Sequence, residues 1–181
     1  ALKLPERYVL LQATADRRKN LAGALAAWRS AAGRVDPDLH LVVSGNLGRA
    51  QVFGDLDVSL EAPRMVTTGY VAEEHMGPLM AGADFFLFPS LYEGFGLPVI
   101  EAMAAGTPVI TGDTTALPEV AGGAAMLVKA DDPDAVADAI VAMASDAPAR
   151  ETYRSLGFAR SKAYDWDDAA RRYQALFDGL G

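Results

Sequence analysis

The chain has 181 residues, 51% hydrophobic and 22% charged, with a formal net charge of −8. That balance describes one folded domain with a proper core and excludes a disordered or low-complexity chain. The acidic excess argues against general nucleic-acid binding, and the absence of cysteine rules out disulfides and thiolate metal sites. The two histidines, His40 and His75, lack metal-ligand spacing, so no metal or cofactor is expected. No apolar run approaches the length of a membrane span and no signal peptide opens the sequence. A cytoplasmic protein is expected. Peripheral membrane association stays open, although no strongly basic amphipathic helix supports it.

In chain order, residues 1–7 read as a linker and Tyr8 to Ala13 as a first strand. A polar loop follows, Thr14 to Asn20, with the consecutive cations Arg17, Arg18 and Lys19. It leads into an Ala/Leu-rich helix from Leu21 to Ala32, stopped at Gly33. Leu39 to Ser44 is a second strand, closed by Gly45 and Asn46. Leu47 to Arg64 is the least legible stretch, where at most a short irregular helix is expected, because Gly48, Gly54 and Pro63 break any period. Met65 to Val71 is a third strand, with Gly69 near its ligand edge. The helix from Glu73 to Ala83 should be shortened or kinked by Gly77 and Pro78. Beyond the central stretch lie a strand at Pro108 to Thr111 and a loop with one helical turn to Val120. A short strand at Ala125 to Val128 precedes a helix capped by Asp132 before Pro133 and running to Ser145. Helices over Pro148–Ala163 and Trp166–Leu180 complete the chain. Alternating strands and helices predict an α/β, Rossmann-like doubly wound parallel sheet of about six strands with helices on both faces. Its ligand belongs at the carboxyl ends of the strands.

The most informative stretch is residues 84–106. Phe85 to Phe88 is short and apolar enough for a strand buried on both faces. Pro89 ends it, Ser90 to Gly94 form a loop, Pro98 suits the first turn of a helix, and Gly106 stops that helix. The helix N-terminus, with the amides of Gly96 and Leu97, favours an anion, and Gly94 and Gly96 allow unusual backbone angles and close approach of a ligand. Glu93 and Glu101, separated by seven residues, frame this loop. Carboxylates beside an anion site are better suited to neutral hydroxyls than to the anion itself. An anion flanked by hydroxyls describes a nucleotide diphosphate-sugar. Either glutamate alone would be an ordinary surface residue. Their placement in a strand, glycine loop and helix unit is what singles them out.

The stretch from Pro89 to Val109, with its Glu93-x7-Glu101 spacing, resembles the signature of retaining glycosyltransferases of the GT-B fold, specifically the family 4-like, glycosyltransferase group 1 enzymes. Arg18-Lys19-Asn20, Val66 to Val71, Ala81 to Pro89, Leu117 to Val120 and Tyr164-Asp-Trp166 also resemble that family. The resemblance implies a donor-binding domain in which Glu93 and Lys19 are catalytic: Glu93 meets the donor sugar, and Lys19 neutralises the departing diphosphate with help from Arg18 or Arg17. It implies that Gly94, Phe95, Gly96 and Leu97 line the donor site and that Glu101 holds the ribose hydroxyls. The substrate would be a GDP- or UDP-sugar, transferred without a metal. GDP-mannose is favoured by a likeness to mannosyl- and rhamnosyltransferase-like enzymes.

Two departures qualify the likeness. Ala13-Thr14 stands where many relatives carry Gly-Arg, removing a second phosphate-binding arginine. The chain also matches only the C-terminal half of such enzymes, so an N-terminal acceptor domain is the expected missing partner. Leu4 to Val9 then resembles the hinge, and the last helix, residues 166–180, would cross toward that domain with Trp166, Tyr173 and Phe177 exposed. The isolated half is expected to be inactive. The competing function is a non-catalytic nucleotide- or sugar-binding module on the same scaffold. A dehydrogenase is disfavoured because Ala13 to Asn20 contains no glycine.

Overall fold

The computed structural model describes residues 3–14, 16–46 and 61–179. Most of the illegible stretch at Leu47 to Arg64, and Leu180 of the last predicted helix, lie outside the described residues. Six strands form one parallel sheet: β1 (Arg7–Gln12), β2 (Leu39–Ser44), β3 (Met65–Gly69), β4 (Phe85–Phe88), β5 (Val109–Gly112) and β6 (Met126–Val128). Their order is β3-β2-β1-β4-β5-β6. The expected Rossmann-like doubly wound sheet is therefore what the chain forms.

The pleat of the strands assigns the two faces. Val9, Leu11, Leu41, Val43, Phe85 and Leu87 point to one side, where they pack with α1 (Leu21–Ala31) and, later in the chain, α5 (Pro133–Ser145). Tyr8, Leu10, Val42, Phe86 and Phe88 point to the other, against α2 (Glu73–Ala81), α3 (Leu97–Ala104) and α4 (Leu117–Ala121). Because both faces are covered, the central strands are apolar throughout, and β4 is buried at every residue. The last two helices are α6 (Ala147–Ser161), which packs on α3 through Gly157 and Met103, and α7 (Trp166–Asp178).

Local signals act where the sequence places them. Asp132 accepts from the amides of Asp134 and Ala135 at the start of α5, with Pro133 in its first turn. Gly106, at φ 75°, ends α3. Pro78 sits inside α2, which is shorter than expected and stops at Ala81 rather than Ala83, with Gly82 as its cap. The third strand ends at Gly69 rather than Val71, because Gly69 takes a left-handed φ of 68° and turns the chain away from β2.

The strand order fixes the place of the site. The chain runs outward from β1 through β2 to β3, then returns to the other side of β1 to begin β4. The β1 and β4 loops thus leave adjacent strands in opposite directions and open a crevice at their carboxyl ends.

Candidate functional site

At this crevice the loop after β1 meets the loop after β4. Arg17–Lys19 form one 3-10 turn, with Asp16 as its cap. Asn20 follows in a left-handed conformation, φ 53°, which an asparagine tolerates better than most residues. Its side-chain amide donates to the carbonyls of Pro89, at 3.1 Å, and Ala130, at 2.6 Å. The Arg18 carbonyl accepts from the Leu91 amide at 2.8 Å, so the two loops are also joined through their backbones.

This stitching delivers Lys19 to Glu93. Lys19 Nζ lies 2.7 Å from Glu93 Oε1 and 4.7 Å from the centre of the Phe88 ring. The two side chains are 23% and 13% exposed, so the pair is sheltered enough to be screened less than a surface ion pair. Ser90 Oγ also lies 2.7 Å from Glu93 Oε1, and the Glu93 amide donates to Thr115 Oγ1 at 3.1 Å. Thr115 holds a φ of 56°, a strained conformation for a β-branched residue.

The remaining predicted site residues separate into three groups. Gly96 caps α3 at φ 103°, and a Cβ there would stand 2.7 Å from Leu117 Cδ2, so glycine is required both by backbone angle and by space. The amides of Gly96 and Leu97 have no partner among the described residues and stand at the positive end of the α3 dipole. Gly94 differs from the expectation: its φ is not in the left-handed region, and a Cβ there would meet nothing within 4 Å. Its lack of a side chain leaves open space instead.

Glu101 stands exposed on α3. Loss of water around its carboxyl, and secondarily the negative charge of Glu73, raise its pKa above the ordinary glutamate value. Phe95 turns toward the end of α6, meeting Tyr164 edge-on at 5.5 Å between ring centres. Tyr164 is held there by Arg160, which donates to its hydroxyl at 2.7 Å and to the carbonyls of Glu119 and Val120. The motif pieces around 95, 117–120 and 164 therefore form one supporting corner.

Arg18 does not join Lys19 at the carboxylate. Its guanidinium is paired with Asp16 at 2.6 Å, and this bond holds the Asp16 carboxyl below the ordinary aspartate range. The Arg18 carbonyl faces the β4 loop, where it accepts from the Leu91 amide.

Sequence reading missed Ser90, Thr115, Phe88 and Asn20 as partners of the site. Ser90 lay in plain view three residues before Glu93. Thr115 reaches Glu93 from another loop across 22 positions, which no local pattern could show. A cleft of about 310 Å³ opens beside the same loop, between Leu91, Asp113, Thr114, Lys129, Ala130 and Asp131. None of the predicted site residues lines it. At the ends of β1 and β2, Gln12 Oε1 and Ser44 Oγ are buried without a hydrogen-bond partner.

A profile of the family described as Glycosyl transferases group 1 matches residues 6–146. The chain belongs to this family. It is 34% identical over 168 residues to the O-antigen chain mannosyltransferase B of Escherichia coli, covering 89% of this chain and 43% of that protein. It is 32% identical over 144 residues to the phosphatidyl-myo-inositol mannosyltransferase of Mycobacterium leprae (strain TN), covering 78% and 38%. The sucrose-phosphate synthase structure from Thermosynechococcus elongatus superposes with a TM-score of 0.79 at 27% identity, over 97% of this chain and 45% of that one. Anabaena HepE in complex with UDP gives the same TM-score at 20% identity, over 96% and 49%, and speaks to the fold alone. The family member described here thus spans less than half the length of these relatives. Among its described residues, no helix is long and apolar enough to cross a membrane.

Proposed function

We propose that this chain is the donor-binding half of a retaining hexosyltransferase that takes its sugar from a nucleotide diphosphate-sugar. The observation that carries the reading is the meeting of Lys19 with Glu93, 74 positions apart, at the switch point of the sheet. A lysine suits a diphosphate as a mobile point charge, and neutralising the leaving group is an electrostatic contribution to the rate. Glu93 would accept from hydroxyls of the donor sugar. The Gly96 and Leu97 amides, with the α3 dipole behind them, would meet the sugar and phosphates. Gly94 and Phe95 would complete that wall, and Glu101 would hold the ribose. The reading needs no metal ion or resident cofactor, because Lys19 takes the leaving-group charge. Arg18 can assist Lys19 only by leaving Asp16.

Mannose is the favoured sugar, and GDP-mannose the favoured donor, because both relatives described above are named mannosyltransferases. The acceptor would be bound by an N-terminal domain joined ahead of residues 1–7, and α7 would cross toward it with Trp166, Tyr173 and Phe177 at the contact. A cytoplasmic setting, where nucleotide sugars are supplied, belongs to the same reading.

The test is turnover of GDP-mannose by a protein containing both halves. Glu93→Ala, with folding intact, should cost about 100-fold or more in kcat, and the transferred sugar should keep its anomeric configuration by NMR. This chain alone should not turn over. Unchanged transfer by the Glu93 variant, or vigorous transfer by the isolated chain, would refute the proposal.

A further inference from the structure

Ser90 is fully buried directly after Pro89, where β4 gives way to its loop. Its hydroxyl oxygen lies 2.7 Å from Glu93 Oε1, 2.8 Å from the Arg18 carbonyl and 3.4 Å from the Tyr92 carbonyl. A hydroxyl has one proton to give. The Arg18 carbonyl already receives the Leu91 amide at 2.8 Å. The carboxylate is the stronger acceptor, and a bond to it is charge-assisted. The Ser90 proton therefore belongs on Glu93.

Glu93 Oε1 then receives two donors, the Ser90 hydroxyl and the Lys19 ammonium, each at 2.7 Å. Oε2 has no partner among the described residues. With its amide held by Thr115, the glutamate is fixed at its backbone and at one oxygen and presents the other.

We propose that Ser90 is a positioning residue: it holds Oε1 of Glu93 so that Oε2 faces the donor sugar when Lys19 leaves for the diphosphate. The inference rests on Glu93 being the sugar-contacting carboxylate. Its physical core is an exchange of partners. An incoming diphosphate competes with Glu93 for Lys19, and once Lys19 turns to the phosphates only Ser90 still holds Oε1. A nucleotide sugar then finds an oriented acceptor for its hydroxyls. A bare nucleoside diphosphate takes Lys19 and gains nothing from Glu93. Ser90 therefore governs the preference for the sugar-bearing nucleotide over the bare diphosphate, which is also the leaving group after transfer.

Calorimetric titration with GDP-mannose and with GDP tests this on the chain and its Ser90→Ala, Ser90→Thr, Ser90→Cys and Glu93→Gln variants. Ser90→Ala should weaken GDP-mannose about tenfold, the scale of one hydrogen bond to a charged group, and leave GDP unchanged. Ser90→Thr, which keeps the hydroxyl, should restore the preference. Ser90→Cys fills the space with a weak donor and should behave like alanine, which separates the loss of the bond from the loss of packing. Equal weakening of both ligands by a folded Ser90→Ala or Ser90→Cys, or no weakening, would overturn the inference. Glu93→Gln serves the underlying reading. If it leaves the preference intact, the sugar contact itself is wrong; if it abolishes the preference and Ser90→Ala does not, only the role of Ser90 is wrong. Ligand-free crystal structures decide the positioning without any binding once Lys19, the other group on Oε1, is removed. The Glu93 carboxylate should keep its place in Lys19→Ala and in Lys19→Ala with Ser90→Thr and leave it in Lys19→Ala with Ser90→Ala, and an unmoved carboxylate in that last variant would overturn the proposal.

Discussion

The β4–α3 loop and helix α7 both expose aromatic side chains, and the chain restrains them very differently. In the loop, Tyr92 and Phe95 are exposed, but the backbone around them is tied to two other segments. Leu91 donates to Arg18, Glu93 to Thr115, and Thr114 donates back to Leu91. Helix α7 has a cap from Asp165 and internal pairs such as Arg172 with Asp168, but not one buried residue among those described. Trp166, Tyr173, Leu176 and Phe177 are each more than half exposed. The loop is organised from within this chain, whereas the apolar face of α7 gains nothing from it. The contrast supports the proposal that this chain is one half of a two-domain transferase.

The contrast can be broken most forcefully at Gly96. Gly96→Ala should cost about 2–4 kcal/mol in denaturant unfolding, since it adds strain at positive φ to a clash with the buried Leu117. A loss below about 0.5 kcal/mol, the range of an ordinary surface substitution, would show that the loop is not fixed as described. Lys19→Ala comes next. It leaves Glu93 sheltered with Ser90 as its remaining side-chain donor, and should destabilise the chain by about 1–2 kcal/mol.

Glu101 sharpens the picture through pH. Its folded pKa is raised, so the native state binds the proton more tightly than the unfolded chain does. Its contribution is full at low pH and is lost as pH rises from the unfolded value through the raised folded value. Glu101→Gln should therefore gain stability relative to the parent across that window. A difference in melting temperature independent of pH would contradict the raised pKa. The smallest effect belongs to α7. Replacing Trp166, Tyr173 and Phe177 together by serine should move the stability of this chain by no more than about 0.5 kcal/mol, and a larger loss would mean that α7 is held by the chain after all.

Much of this was legible because the relevant signals are local. The run Phe85 to Phe88, the break at Pro89, the stop at Gly106 and the cap at Asp132 each act on neighbouring residues, and each stands where the sequence put it. The family motif marked Glu93, Glu101 and Lys19 as parts of one site, but neither the ion pair nor its geometry could be read from it. What escaped was the second layer. Arg18 reads as a free cation, and its ion pair with Asp16, two residues away, is not part of any motif. Gly94 and Gly96 read alike, yet only Gly96 needs its positive φ, because only there does the helix begin against Leu117. Ser90 and Thr115 owe their importance to which oxygen of Glu93 is free, and that depends on the meeting of three loops.

If the crevice at the β1–β4 switch point takes a nucleotide sugar, as proposed, titration calorimetry will register it. The chain would be titrated with GDP and UDP, then with GDP-mannose and UDP-glucose, beside its Glu101→Ala and Lys19→Ala variants. The predicted result is saturable binding that selects one base and is weakened by both substitutions. A folded chain that takes up none of the four, or binds them regardless of Glu101 and Lys19, would contradict it.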